Sequence, residues 1–239
     1  VDNSIHLLNE ILLMLKKALF AELAQIGQVL SSPMRIEILD YLAQAPRSVE
    51  SLSQLTGLSV ANTSRHLQVL KSASLVEVEQ RGKQRIYHLA DDDVVALLQA
   101  LRRTAENHLD KVKQLLSQYP DAGEVAPMDL ASLKQALEKE EVILMDVRPE
   151  EEYQAGHIPN AIHLPPEAVE QAVEKLQAEQ GEALKEKTVV AYCRGPYCIY
   201  SHQAAQLLKA QNIPVRRLEE GLPEWRAAGH PIEHNLSQQ

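Results

Sequence analysis

Cysteine is nearly absent from this 239-residue sequence: there are two, Cys193 and Cys198, and nothing before them carries a thiol. Two thiols in one local segment cannot staple a fold, which excludes the disulfide framework of small secreted domains. Aromatic residues are also scarce, at 4% with one Trp and one Phe, so the cores have to be built from Leu, Ile, Val and Ala. Long apolar runs are missing as well. The most apolar stretch, Ile11 to Leu15, is far shorter than the roughly 20 residues of a membrane-spanning helix, and Glu10, Lys16, Lys17 and Glu22 surround it. The first residues lack the basic start, apolar middle and small-residue cleavage site of a secretory signal, although Val1 is an unusual first residue. A cytoplasmic setting with no membrane partner is the resulting expectation.

What is present fits two soluble domains. Apolar residues make up 45% and charged residues 24%, the balance of globular protein, and the length suffices for two cores. The net charge of -9 is uneven: residues 31–89 carry seven Lys plus Arg against five Asp plus Glu, a local +2 that leaves -11 for the rest. Any nucleic-acid contact belongs in that basic part.

Periodicity divides the chain. Leu8, Ile11, Leu12, Leu15, Leu19, Leu23 and Ile26 recur at three- and four-residue spacing, which predicts one helix over 5–30. A helix over 33–43 follows, with Pro33 in its first turn. Ser48 and Ser59 then open two short helices, 48–56 and 59–72, separated by Gly57 and Leu58, and this is helix-turn-helix spacing. Strands over 75–79 and 84–89 turn around Arg81, Gly82 and Lys83 to make a basic wing. Asp91, Asp92 and Asp93 start a last helix expected to run unbroken to about Gln118. Residues 119–127, with two Pro and one Gly, read as a linker. Beyond it helix and strand alternate: helix 129–140, strand 142–147, helix 166–179, strand 188–192, helix 199–211, strand 215–218 and helix 222–228. Such alternation favours a parallel sheet covered by helices.

The segments LSSPMRIEILDYL, LSVANTSRHLQVLKSASLV and RGKQRIYHL resemble the arsenical-resistance repressor (ArsR) family of dimeric winged helix-turn-helix proteins, over roughly residues 20–115. In the reading helix, Thr63, Leu67 and Leu70 fall on the inward face, which leaves Ala61, Asn62, Ser64, Arg65 and Gln68 toward the groove. Arg65 suits a bidentate contact to guanine or a phosphate, and Arg81, Lys83 and Arg85 of the wing suit phosphates. His66 reads equally as a phosphate contact or a packing residue, and the alternative for the whole helix is a packing element with a solvated basic face. The resemblance implies a homodimer through the first and last helices, binding a double-stranded operator with inverted-repeat symmetry, its half-sites about 34 Å apart. Where zinc-sensing relatives carry a His pair in the last helix, this chain has Arg102 and Arg103. Arginine cannot ligate a metal, His88 and His108 have no evident ligand set, and no metal or other cofactor is expected.

LMDVRPEEEYQAGHIPNAIHLP, VVAYCRGPYCIYSHQAAQLL and LEEGLPEWRAAGHPIE resemble the rhodanese family in order and separation. The fold expected is therefore multidomain: a mainly α winged helix-turn-helix domain over 1–118, the linker 119–127, and an α/β rhodanese domain with a parallel sheet over 128–239. Cys193 ends an apolar strand, and the short loop after it leads into a helix, a setting in which backbone amides and the helix dipole favour a thiolate or persulfide. The resemblance implies that Cys193 takes sulfur from a sulfane-sulfur donor and passes it to an acceptor thiol. It also implies that Asp146 and Arg148 brace the loop and domain entry. Gly156, His157 and Pro159 match an architectural signature in which Asn160 replaces a usual Gly. Gly221 and Trp225 are expected in a turn and the core, and His202 on the helix surface.

The loop departs from the family where Cys198 replaces a common Arg. Arg194 remains to contact an anion, and the loss of the second cation weakens the expectation of efficient thiosulfate turnover. Cys198 reads either as a thiol that resolves an adduct on Cys193, the pair meeting the roughly 4.4 to 6.8 Å Cα requirement of a disulfide, or as a small buried filler. The expectation is a regulator, a repressor, whose sulfur chemistry changes its DNA affinity. The alternatives are a sulfurtransferase tethered to DNA and a regulator whose rhodanese fold binds an anion without turnover.

Overall fold

A computed structural model describes residues 2–119 and 124–234. Residues 120–123, the middle of the expected linker, lie outside the described residues. The chain divides into two compact units, one ending at Ala90 and one starting at Asp91. Among the described residues no helix is long and apolar enough to cross a membrane.

In the first unit, α1 (Asp2–Leu30) and α2 (Pro33–Gln44) precede a two-residue strand β1 (Arg47–Ser48), then α3 (Val49–Thr56), α4 (Val60–Ser72), β2 (Val76–Arg81) and β3 (Gln84–Leu89). Ser48 and Ser59 cap α3 and α4 by accepting hydrogen bonds from the Ser51 and Asn62 amides. These bonds satisfy donors that a helix start otherwise leaves open. Gly57 closes α3 at φ 69°, a left-handed conformation that glycine adopts without steric cost. The core is aliphatic, with Ile38, Leu39, Leu52, Leu67 and Leu70 fully buried. The sheet is antiparallel in the order β1-β3-β2, and Arg81 pairs with Gln84 so that Gly82 and Lys83 form a two-residue turn.

The second unit begins with α5 (Asp93–His108) and α6 (Asp110–Leu116). The single helix expected to reach Gln118 is thus interrupted. Leu109 takes an extended backbone at φ -107° and ψ 105°, and no Pro or Gly marks the break. Five parallel strands follow: β4 (Pro127–Met128), β5 (Val142–Asp146), β6 (Ile162–His163), β7 (Thr188–Tyr192) and β8 (Val215–Leu218), in the order β4-β8-β7-β5-β6. The covering helices are α7 (Leu130–Glu138), α8 (Glu150–Ala155), α9 (Ala172–Gln180), α10 (Ala183–Glu186), α11 (Ile199–Ala210) and α12 (Leu222–Ala227). The expected helix over 166–179 starts as a 3-10 helix (Pro166–Gln171), and α8 occupies a stretch for which the sequence predicted no element.

Side chains alternate across the central strands and divide the core in two. Ile143, Met145, Val189, Ala191 and Cys193 pack with Ala204 and Leu208 of α11. Leu144, Val190 and Tyr192 pack with Leu133, Ile158, Leu222 and Trp225 on the other face. Cys193 thus continues the alternation of β7 and enters the loop already buried.

Candidate functional site

Helix α4 presents the face expected of a reading helix. Thr63, Leu67 and Leu70 are buried, Asn62, Arg65 and Gln68 are exposed, and Ser64 and His66 are half-buried. Arg81, Lys83 and Arg85 are all exposed on the wing. Arg81 is engaged there by Glu79, with 2.5 Å between Nη2 and Oε1, so part of its charge is already matched.

Five residues after β7, Cys198 stands at the start of α11, and the loop between curves so that Cys193 and Cys198 are joined in a disulfide with their Cα atoms 6.2 Å apart. Cys198 donates its backbone N–H to the Gly195 carbonyl at 3.2 Å, closing the turn. From behind, Gly221 presses on the first loop residues: a Cβ there would lie 2.5 Å from the Arg194 carbonyl oxygen and 2.9 Å from that of Cys193. Any larger residue at 221 would push the loop away.

Arg194, expected as an anion contact, is engaged by a carboxylate. It donates from Nε and Nη2 to the fully buried carboxylate of Glu152 on α8, at 3.0 and 2.7 Å, a fork that spends its charge on the fold. Glu152 lies in a run of three Glu that look alike in sequence; only α8 turns this one inward. Asp146 and Arg148 form a second pair, with both side chains fully buried and Nη2 2.6 Å from Oδ2. Arg148 also donates to the Gly156 carbonyl at 2.7 Å, tying the end of β5 to the end of α8. Burial works against the Arg148 charge, but the charge and hydrogen bonds of Asp146, together with smaller contributions from Tyr192 and Glu152, hold the guanidinium above its ordinary pKa. Burial, followed by the charge of Asp146, raises the Tyr192 phenol well above its usual value, and its oxygen accepts the Ile158 amide at 3.1 Å.

Asn160 sits at φ 62°, a left-handed position that asparagine tolerates and that accounts for the usual glycine. Trp225 is buried and donates to the Pro231 carbonyl at 2.8 Å. The expectation for His202 is corrected: it is 3% exposed, with its ring centroid 4.5 Å from that of Tyr119 and Nε2 3.4 Å from the Pro196 carbonyl. Counting from Cys198 put it on α11, but Tyr119, about eighty positions earlier, covers that side of the helix. Arg102 on α5 pairs with the buried carboxylate of Glu224 at 3.1 Å. A cavity of about 620 Å³ lies behind the loop, lined by Arg102, Glu106, Tyr119, Pro196, His202 and Glu220 among others. Sequence reasoning missed Glu106, Glu152, Tyr197 and Glu224, because each acts through a partner distant in sequence.

Known proteins match the two halves of the chain separately. A helix-turn-helix domain family matches residues 30–79 and the rhodanese-like domain family matches residues 129–228. The HTH-type transcriptional regulator Rv0324 of Mycobacterium tuberculosis is 38% identical over 218 residues, covering 91% of this chain and 93% of that protein. The thiosulfate sulfurtransferase GlpE of Coxiella burnetii is 35% identical over 96 residues, 40% of this chain and 80% of its own. Among solved structures, the homodimeric winged helix-turn-helix DNA-binding domain of Mb0332 from Mycobacterium bovis is 38% identical. It covers 39% of this chain and 87% of its own, with a TM-score of 0.38. With similarity to a regulator along nearly its whole length and both domains matched in order, the chain belongs to the HTH-type transcriptional regulators, and it carries a rhodanese-like domain after the helix-turn-helix.

Proposed function

We propose that this regulator binds an inverted-repeat operator as a homodimer and that sulfane sulfur accepted by Cys193, with Cys198 resolving the adduct, changes its affinity for DNA. The observation that carries this reading is the disulfide across one short loop, which puts the second thiol within reach of whatever the first accepts. The chemistry balances with a persulfide donor. The Cys193 thiolate attacks the outer sulfur of RSSH, forming a Cys193 persulfide and expelling RS⁻. The Cys198 thiolate then attacks Sγ of Cys193, the bond to the outer sulfur breaks, and HS⁻ leaves. The two thiols have lost two electrons, which reduce the sulfane sulfur to sulfide. Two further RSH restore the dithiol and depart as RSSR.

Two other features support the regulatory side. Ten large apolar residues between Leu7 and Leu23 of α1 are 46–71% exposed in the single chain, a surface larger than soluble monomers usually leave in water. A second copy would cover it. The exposed Asn62, Arg65 and Gln68, beside the basic wing, supply base-reading and phosphate-binding groups.

A second reading, a sulfurtransferase tethered to DNA, is favoured by the similarity to a thiosulfate sulfurtransferase over the same domain. The commitment of Arg194 to Glu152 weighs against it, since thiosulfate carries two negative charges and the loop offers it no second Arg. Mass spectrometry after hydropolysulfide treatment of the protein reduced to its dithiol form separates the steps. The wild type is expected to release sulfide and end as the disulfide, Cys198→Ser to stop one sulfur heavier, and Cys193→Ser to take up none. Sulfur on Cys193→Ser equal to that retained on Cys198→Ser would refute the assignment, and rapid turnover with thiosulfate and cyanide would favour the enzyme.

A further inference from the structure

The helix that follows the DNA-reading hairpin is bonded to the sulfur loop. α5 starts four positions after the last residue of β3, and two side chains one turn apart on it reach the loop. Arg102 Nη1 donates to Oε1 of the buried Glu224, whose Oε2 accepts the Gly221 amide at 3.0 Å. Gly221 is the residue pressed onto the Cys193 and Arg194 carbonyls. The same Arg102 nitrogen lies 3.2 Å from the point where a Cβ on Gly195 would stand. One turn on, Glu106 accepts the Tyr197 hydroxyl at 2.7 Å. Burial, reinforced by Glu106, raises the Tyr197 pKa and keeps that phenol a donor. Tyr119 donates to the Tyr197 carbonyl at 2.9 Å, and its ring lies on His202, which faces the Pro196 carbonyl. The loop is therefore held at Cys193 and Arg194 through Gly221 and at Pro196 and Tyr197 through α5 and Tyr119, whose side chains share the lining of the cavity.

We propose that Arg102 and Glu106 of α5 are positioning residues of the sulfur site, holding the Cys193–Cys198 loop in its closed form so that opening the loop loosens α5. The inference rests on the sulfur-handling reading only for its biological use; the mechanical link stands apart from it. Arg102 pairs with a Glu224 side chain that is 2% exposed, and separating them would leave a buried charge uncompensated. Helix and loop therefore move together. Linkage makes the effect reciprocal: whatever factor the clamp contributes to disulfide closure, closure contributes to the α5 clamp.

The test uses the full chain. The Cys193–Cys198 equilibrium is measured in dithiothreitol redox buffers for the wild type, Arg102→Gln, Arg102→Lys and Tyr197→Phe, and amide exchange along α5 is compared in the oxidised and reduced wild type. Arg102→Gln is expected to shift the equilibrium toward the dithiol about tenfold, equivalent to about 30 mV for two electrons. Tyr197→Phe, which removes one exposed hydroxyl and endangers the fold least, should give a shift of about threefold, and Arg102→Lys should keep most of the closure. Reduction should speed α5 exchange by a similar factor. Variants that melt earlier but keep the wild-type potential, or α5 exchange identical in both states, would overturn the proposal. Hydropolysulfide loading of the wild type is followed in parallel: its failure removes the sulfur-handling reading, while the potentials and exchange rates still decide the clamp.

Discussion

The proposed reading helix and the proposed sulfur loop both place polar groups beside a helix, and they are finished in opposite ways. On α4 the inner face is anchored by Thr63, Leu67 and Leu70, while Asn62, Arg65 and Gln68 stand in water. At the sulfur loop the charged groups are spent on one another: Arg194 on Glu152, Arg148 on Asp146, Arg102 on Glu224. A surface that reads DNA gains from side chains that are ordered on contact, since phosphate and base contacts replace their water. A pair of thiols that must meet within one bond length needs its backbone fixed beforehand, and buried ion pairs provide that fixity at the cost of being intolerant to the loss of either member.

That contrast can be broken by mutation. Asp146→Asn is expected to have the largest effect, destabilising the second unit by about 3–5 kcal/mol because Arg148 is left buried without its counter-ion; denaturant unfolding would reveal it, and a change below about 1 kcal/mol would show that the pair is relaxed by solvent. Leu19→Glu on α1, at a position 64% exposed, should leave both units folded but shift the protein toward monomer and weaken operator binding at least tenfold, about 1.4 kcal/mol. Sedimentation that still finds the wild-type assembly would place the dimer contact elsewhere. Arg65→Ala should cost about 1–3 kcal/mol of specific binding and relax the preference at one base position. Lys83→Ala should have the smallest effect, weakening all DNA sequences alike and lowering the salt slope by about 1. Equal effects of these last two changes on specific and random duplexes would remove the distinction between helix and wing.

Legibility followed the same division. The winged hairpin, the caps at Ser48 and Ser59 and the inward face of α4 were readable because they depend on periodicity and on residues within a turn of each other. The parallel sheet was readable from its apolar strands. The break at Leu109 was not, since its sequence carries no helix-stopping residue, and α5, expected in the first domain, falls in the second compact unit. The partners of Arg102 and Arg194 were hidden for a simpler reason: Glu224 lies 122 positions from Arg102, and Glu152 lies 42 from Arg194. His202 looked superficial because nothing in a linear reading brings Tyr119 onto it.

The central claim is that sulfur on Cys193 is read as DNA affinity. Its most direct test is fluorescence anisotropy of a duplex selected from random sequence by the protein reduced to the Cys193–Cys198 dithiol, before and after hydropolysulfide, on samples whose Cys193 and Cys198 masses are determined in parallel. The account predicts at least a tenfold change in Kd for the wild type, about 1.4 kcal/mol, in proportion to the modified fraction, and no change for Cys193→Ser. An equal change in both proteins, or full modification of Cys193 with an unaltered Kd, would contradict it.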